Sequence, residues 1–578
     1  MRGRVVGIPL PYARRVKAVA AQTRQLVSGE TVPFLTAIPA ESVEHGEVFT
    51  RRWVVELILD LAGYTADRDL AELVAVEPAC GGGAFLAVMA SRLSASCRKH
   101  DRPLLDAKSA LRAFDLLAPN VATSRALIRN VLVDEGWSLP EAREATTAWV
   151  RQGDFLLDPH VPTGVDFVVG NPPYVRLEDV PPDRMQAYRA ACPTMTGRSD
   201  LYVGFYERAL RSLRVGGVLA FICADRWMRN QYGRQLRELV AAGYSVDATI
   251  SMHDVDAFEE QVSAYPAVTV LRRAQQGAAM VADTRRGFGP QDAPELVELI
   301  HATEQRTAAN GSFEVARLPH WFTGGESWPA GSPSRIALIE TLNDRFPPLE
   351  DQSTGTRVGI GVATGADKVF VTTHADVEPR RLLPLSMVKD TTSGTFSWSG
   401  HYLVNPWDAE GALVDLASLP RLREYYQRHA AALKGRHVAG KRPAHWYRTI
   451  DKVDHSLIDR PKLLFPDMKT VIHPVLDEGG FYPHHNLYYI VSDVWDLRVL
   501  GGLLLSGVAQ AFVEAYAVKM RGGTLRFQAQ YLRRIRVPRP ENVSAADCAA
   551  LAAAFDERDS RAATKVALRV YGIEAMGE

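Results

Sequence analysis

An apolar run, Asp166-Phe167-Val168-Val169-Gly170, leads straight into Asn171-Pro172-Pro173-Tyr174. Two successive prolines fix φ and carry no backbone N–H, so the turn is rigid and presents free carbonyls. The side-chain oxygen of Asn171 and the carbonyl of Pro172 then form a pair of fixed acceptors, which matches a planar amine with two hydrogens. Tyr174 offers a flat face on which a base could stack, worth roughly 1–3 kcal/mol. A conjugated amine is a poor nucleophile. Acceptors aimed at its hydrogens favour a tetrahedral nitrogen whose lone pair can attack an electrophilic methyl carbon in line. Positioning and electrostatics suffice for this, with no covalent enzyme intermediate.

Three acidic positions precede this turn, each at the end of a candidate strand. In Val76-Glu77-Pro78-Ala79-Cys80-Gly81-Gly82-Gly83-Ala84-Phe85-Leu86, three glycines stand where a strand gives way to a helix. Glycine there lets a ligand approach the main chain closely. Glu77 suits a cationic or amine-bearing ligand and opposes a pyrophosphate. Asp115, after Phe114, can accept from both hydroxyls of a ribose. In Gly153-Asp154-Phe155, Asp154 can accept from an adenine amino group while Phe155 packs on the ring. Taken singly, Asp115 and Asp154 read equally well as helix caps. Their common position after parallel strands, on the edge that carries the glycines, favours ligand contacts.

The elements that must position these residues show a β-α-β-α rhythm from about Glu47 to Arg273. Candidate strands are Leu73–Pro78, Ala110–Leu116, Ala148–Gln152, Asp166–Gly170, Val218–Ala224, Ser245–Ser251 and Pro266–Leu271. Amphipathic segments such as Ala84–Arg98, Val121–Asp134, Leu201–Leu213 and Arg229–Ala242 lie between them. The rhythm predicts a doubly wound, mostly parallel α/β sheet of seven strands, with its ligands at the carboxyl ends of the strands. Residues 274–294 read as a linker or excursion. Beyond them the pattern is irregular and aromatic, with short strands such as Lys462–Phe465 and Leu487–Val491, and it predicts a mixed α+β domain. A final helix, about Ala545–Val570, closes the chain. The expected division is an N-terminal extension 1–45, a catalytic domain 46–275, a second domain 276–540 and a C-terminal helix 541–578.

The formal net charge is zero, but it is unevenly spread. Arg421 to Lys469 holds twelve Lys/Arg against five Asp/Glu, and Lys519 to Arg539 holds seven against none. The second half is therefore basic, as a nucleic-acid binder requires. The five cysteines, Cys80, Cys97, Cys192, Cys223 and Cys548, have no metal-ligand spacing. They fit a reducing cytoplasm, and no metal is expected. The basic N-terminus is interrupted by prolines and does not read as a signal peptide. The apolar stretch Val499 to Val513 is shorter than the ~18 residues of a membrane span. It is expected as a buried helix in a protein with no membrane contact.

The chain resembles the N6-adenine DNA methyltransferases of bacterial restriction-modification systems, specifically the gamma-ordered group with the TaqI-like enzymes. The resemblance covers most of the chain and rests on the order of its motifs. Glu47-Val48-Phe49-Thr50 is similar to the family's N-terminal cofactor motif, with Arg51 where the family has proline. Glu77 to Leu86 is similar to its principal cofactor motif. Asp115 falls at the ribose-binding acid, Gly153-Asp154-Phe155 at the adenine-binding motif, and Asn171 to Tyr174 at the catalytic motif. The resemblance implies a Rossmann-like class I methyltransferase fold, S-adenosylmethionine as cofactor and double-stranded DNA as substrate. It implies cofactor contacts from Thr50, Glu77, Ala79, Gly81, Gly83, Phe85, Asp115, Asp154, Phe155 and Asn171. Asn171, Pro172 and Tyr174 would act on a flipped-out adenine, with an aromatic residue stacking from the far side: Tyr265, or else Phe258. Gly359–Gly365, Arg460–Phe465 and Tyr531–Pro538 resemble parts of the family's target recognition domain, and Gly522-Gly523 is a candidate phosphate loop. A monomer acting on DNA is expected, alongside a cognate restriction endonuclease.

Glutamine-modifying and ribosomal RNA methyltransferases share the tetrapeptide but are generally shorter and lack the large C-terminal domain. The same motifs would also suit a methylase subunit of a larger DNA-modification complex. A non-catalytic DNA-binding subunit would have no use for them, and Glu77, Asp115, Asp154 and Asn171 argue against it. No nuclease domain is expected, since Pro466-Asp467-Met468-Lys469 lacks the required spacing.

Overall fold

The computed structural model describes residues 48–260, 265–302, 307–517 and 524–574. The expected extension 1–45, Glu47 and Gly522-Gly523 lie outside them. All seven expected strands form: β1 (Ala75–Glu77), β2 (Leu111–Asp115), β3 (Val150–Gln152), β4 (Val165–Gly170), β5 (Leu213–Ala224), β6 (Ser245–Ser251) and β7 (Pro266–Arg272). They lie in the order β3-β2-β1-β4-β5-β7-β6. Neighbours from β3 to β5 are parallel, and β7 runs antiparallel between β5 and β6. Every residue of β4 is buried, as expected of a central strand covered on both faces. Helices Arg52–Ala62, Ala84–Lys99, Ala118–Asp134 and Leu139–Trp149 pack into one apolar cluster. Helices Tyr202–Ser212 and Arg234–Gly243 pack into another, on the opposite face.

The sheet does not stop at seven strands. It continues through β8 (Ala279–Thr284), β9 (Thr307–Ala309) and β10 (Phe313–Leu318) in the order β6-β8-β10-β9. The stretch 274–294 is therefore not a linker, and the boundary expected at 275/276 falls inside one sheet. The small residues of Ala279-Met280-Val281-Ala282 hid the strand from a β-propensity reading, because pairing with β6 and β10 forms it.

Residues 47 to 578 cluster as one compact unit. The segment after β10 is tied to the later part of the chain by direct contacts, such as the Ala330 N–H donating to Ala515 O at 2.8 Å and the Arg335–Glu514 ion pair at 2.9 Å. The second half holds two four-stranded sheets. One pairs Arg357–Ile360, Leu487–Val491, Lys462–Pro466 and Val475–Asp477; the other pairs Val371–Thr372, Tyr402–Val404, Leu382–Ser386 and Tyr482–Pro483.

Three expected helices are broken. Arg229–Ala242 becomes helical as a long segment only from Arg234. The apolar stretch 499–513 forms two helices, Leu497–Leu505 and Gly507–Tyr516, bent by 65°, because the Ser506 hydroxyl caps the second one at Ala509 N–H. The C-terminal helix is likewise two, Ala545–Asp556 and Ser560–Tyr571, with Arg558 between them at φ 58°. Among the described residues no single helix is long and apolar enough to cross a membrane.

Candidate active site

Parallel pairing brings the ends of β1, β2, β3 and β4 to one edge, and with them Glu77, Asp115, Asp154 and Asn171. Glu77 is buried, and its Oε2 has no hydrogen-bond partner. Burial, with the Asp115 carboxylate nearby, pushes its carboxyl well above the usual range. A cationic group placed beside it would relieve both effects. Gly81 lies at φ 49°, and a Cβ there would meet nothing within 4 Å, so the loop has an open side for a ligand. Its N–H donates to Asp115 Oδ2 at 2.9 Å, and its carbonyl accepts from Ser124 Oγ at 2.8 Å. Asp115 Oδ1 also accepts from Leu117 N–H at 2.9 Å and Asn120 Nδ2 at 3.1 Å. Both oxygens of Asp115 are thus engaged, one by the glycine loop and the other by the residues that lead into the helix Ala118–Asp134. Ala79 is partly buried in the same loop. Gly83 caps the helix Ala84–Lys99, in which Phe85 is a buried core residue.

Asp154 is held by the Tyr188 hydroxyl, which donates to Oδ2 at 2.7 Å, and by Leu156 N–H at 3.1 Å. Tyr188 stands on the helix Pro182–Ala191, and nothing local in the sequence connects it to Asp154. Phe155 does not present its face to a ligand. It is buried in the core, stacked on Phe205 at 5.5 Å and edge-on to Phe114 at 5.8 Å.

The amide of Asn171 has a defined direction. Nδ2 donates to Val48 O at 2.8 Å and to Thr50 Oγ1 at 3.2 Å, while Oδ1 is buried with no partner. Two acceptors on the nitrogen side leave the oxygen as the free acceptor. Thr50 is therefore placed where it orients Asn171, besides its expected place at the cofactor. Pro172 is buried behind the amide, and the chain beyond Tyr174 is pinned by Leu177 N–H to Ser199 O at 3.0 Å and Leu201 N–H to Val175 O at 2.7 Å. The Tyr174 hydroxyl is buried without a partner. Burial, with Cys223 and Tyr206 close by, raises its pKa well above the usual phenol value, so it stays protonated and does not act as a base.

Phe258, not Tyr265, stands opposite Tyr174. Its ring lies 6.3 Å away at 82°, and it is 6% exposed. Tyr265 is 58% exposed and packs on His253 at 5.0 Å. The segment Phe49–Arg51 draws Phe258 in. Thr50 and Phe258 form a β-bridge. Arg51 donates from its N–H to Ala257 O at 3.0 Å and from Nε to Phe258 O at 2.9 Å. Arg51 φ is −63°, a value proline would share, but proline would supply neither donor.

Several described residues of the basic stretches are engaged by other groups of the protein. Arg526 pairs with Asp467, and Arg533 with Glu350 at 3.2 Å. Arg534 lies 4.2 Å over the Tyr516 ring, and Arg536 donates to Asn343 Oδ1 at 2.8 Å. Lys462 forms a fully buried pair with Asp477 at 3.2 Å. Exposed cations remain, among them Arg423, Lys441, Arg442, Lys452 and Arg539.

Residues 88–258 match the family described as Eco57I restriction-modification methylase. Over 557 residues the chain is 43% identical to the type II methyltransferase M.PaeR7I of Pseudomonas aeruginosa, covering 95% of this chain and 96% of that one. It is 42% identical over 536 residues to the type II methyltransferase M.XhoI of Xanthomonas vasicola, covering 92% and 97% respectively. Among solved structures, the type IIL restriction-modification enzyme MmeI in complex with DNA superposes with a TM-score of 0.50 at 11% identity. That match covers 94% of this chain and 78% of that one, and it speaks for the fold alone. With near full-length identity to two such enzymes, the chain belongs to the family of type II restriction-modification methyltransferases.

Proposed function

We propose that the chain transfers a methyl group from S-adenosylmethionine to N6 of an adenine flipped out of double-stranded DNA. It would act as a monomer and as the modification arm of a type II system with a separate cognate endonuclease. The observation that carries this reading is the Asn171 amide, whose nitrogen is fully engaged and whose buried oxygen has no partner. One hydrogen of an exocyclic amine supplies what that oxygen lacks, and the Pro172 carbonyl takes the other.

The residues around the glycine loop fit the cofactor: a buried carboxylate at Glu77 with one unpartnered oxygen for a cationic group, an open approach at Gly81, and Asp115 and Asp154 for the ribose and adenine. The cofactor supplies a methyl group on positively charged sulfur. The chain's own residues do the rest. Asn171 and Pro172 hold the amine hydrogens and stabilise the positive charge that develops on nitrogen, and Tyr174 and Phe258 hold the base between them. Flipping the base out of the duplex costs a few kcal/mol, which that stacking helps to offset. Arg423, Lys441, Arg442, Lys452 and Arg539 are among the exposed cations available for phosphates.

Expression in a host without DNA methylation, followed by single-molecule sequencing, should reveal methylated adenines at one short motif. No methyl-adenine above background would sink the proposal; methyl-cytosine instead would place the amine on the other base. A second expectation concerns the strap that holds Phe258. Arg51→Pro keeps φ but removes two hydrogen bonds of about 1 kcal/mol each, so turnover should fall roughly 5- to 30-fold. DNA affinity by gel shift should stay within about twofold of wild type, because the strap touches the flipped base and not the phosphates.

A further inference from the structure

Two histidines and an aspartate meet in the second half, away from the clusters that pack the catalytic strands. His484 and His485 stand in the turn after Tyr482–Pro483, and Asp367 opens the short helix Asp367–Phe370. One ligand-type atom from each residue lies within 4.8 Å of the other two. Successive residues of an extended chain point to opposite sides, yet these imidazoles converge to a ring-centroid distance of 4.1 Å.

His484 is 2% exposed. Its Nε2 is 3.1 Å from Asp367 Oδ2, and its Nδ1 has no partner; Nδ1 of His485 is also buried and partnerless. Each buried nitrogen without a partner costs about 1–3 kcal/mol. An ion held by His484 Nε2 and Asp367 Oδ2 leaves His484 Nδ1 as it is, so the unused nitrogen that could join them is Nδ1 of His485.

The backbone fixes this arrangement. Val362 N–H donates to Pro483 O at 2.9 Å, and His485 N–H to Val362 O at 3.1 Å. A Cβ on Gly361 would lie 2.2 Å from Pro483 O and 2.3 Å from His484 O, so the close approach of the two segments requires glycine. The dipeptide His484-His485 is not a metal spacing in sequence; the fold is what brings Asp367 to it.

We propose that Asp367, His484 and His485 form a binding site for a divalent transition-metal ion of the zinc class. The ion would tie the Gly359–Asp367 segment to the His484–His485 turn. Imidazole nitrogen and carboxylate oxygen suit zinc, cobalt and nickel, whereas magnesium and calcium prefer oxygen alone. Bonds of 2.0–2.2 Å around a tetrahedral zinc put neighbouring ligand atoms about 3.4 Å apart. The 3.1 Å between His484 Nε2 and Asp367 Oδ2 is within a few tenths of that. Water completes the shell. The ion's work is structural: it holds a glycine-rich segment of the second half rigid without touching the amine-binding pocket.

The test uses the full-length chain without a histidine tag, stripped with a chelator and dialysed. Titration with Co2+ should give stoichiometric uptake and visible bands of a four-coordinate ion, and Zn2+ should displace it and raise Tm. His484 is too deeply buried for its loss to be informative, so the variants are His485→Ala and Asp367→Asn. Each should weaken Zn2+ by roughly 10- to 100-fold while the unliganded Tm stays near that of wild type. Substoichiometric uptake with no visible band would overturn the proposal and leave an ordinary His–Asp hydrogen bond. So would variants that bind Zn2+ as tightly as wild type.

Discussion

Asn171→Ala is expected to leave DNA binding intact and to lower single-turnover methyl transfer by at least roughly 10²–10³-fold. That is the loss typical when one preorganised partner of a developing charge is removed. The expectation follows from the direction of the amide. Its nitrogen is held by Val48 O and Thr50 Oγ1, so the oxygen cannot turn away without abandoning two bonds. Removing the side chain also strips Val48 O and Thr50 Oγ1 of their donor, which costs about 1–3 kcal/mol of stability. A thermal melt therefore accompanies the assay. Thr50→Val is the control for orientation. It removes one of the two restraints on the nitrogen and keeps the oxygen, so its loss should be about tenfold or less. Transfer by Asn171→Ala at the wild-type rate would remove the acceptor role assigned to this residue.

How much of this site was legible beforehand depends on whether the signal was local. Glu77, Asp115 and Asn171 each end or follow a strand with a clear apolar run. Parallel pairing does the rest, because the carboxyl ends of parallel strands must share an edge. The strap Val48–Arg51 carries no such signal. Its contacts with Asn171 and Phe258 span more than 120 residues of sequence, and no periodicity encodes them. The same holds for Tyr188 at Asp154. Phe155 misled for a different reason. It follows Asp154, the expected adenine contact, but its ring is already stacked on Phe205. An aromatic residue beside a ligand contact is as well placed to fill the core as to touch the ligand.

Charge counting overstated the reach of the arginines. A run of seven basic residues without an acid reads as a phosphate-binding strip. Arginine, however, also bonds carbonyls and covers aromatic rings, and Arg533, Arg534 and Arg536 do so here. What the run contributes is cohesion between the two halves, since Arg534 also donates to Ser327 O at 3.3 Å. The ten-stranded sheet makes the same point: the strands beyond Arg273 belong to the catalytic sheet by pairing, not by composition.

Phe258→Ala and Tyr265→Ala separate two residues seven positions apart, of which the sequence reading placed Tyr265 first. Tyr265 stands just before β7, whose first six residues are all buried, while its own side chain is exposed and packs on His253. Phe258 is turned inward by its bridge to Thr50 and lies edge-on to Tyr174 at 6.3 Å. A base entering between the two rings would replace that edge contact by stacking, worth roughly 1–3 kcal/mol. Phe258→Ala should therefore lower kcat/KM roughly 5- to 100-fold. The loss should be smaller on DNA with a mismatch at the target, where flipping is cheaper. Phe258→Trp should recover part of it, because a larger π-face restores stacking, whereas a merely structural role would be worsened by overpacking. Tyr265→Ala should stay within about twofold, as exposed substitutions do. Equal losses at both positions, or a larger one at Tyr265, would return the stacking role to Tyr265 and detach Phe258 from the chemistry.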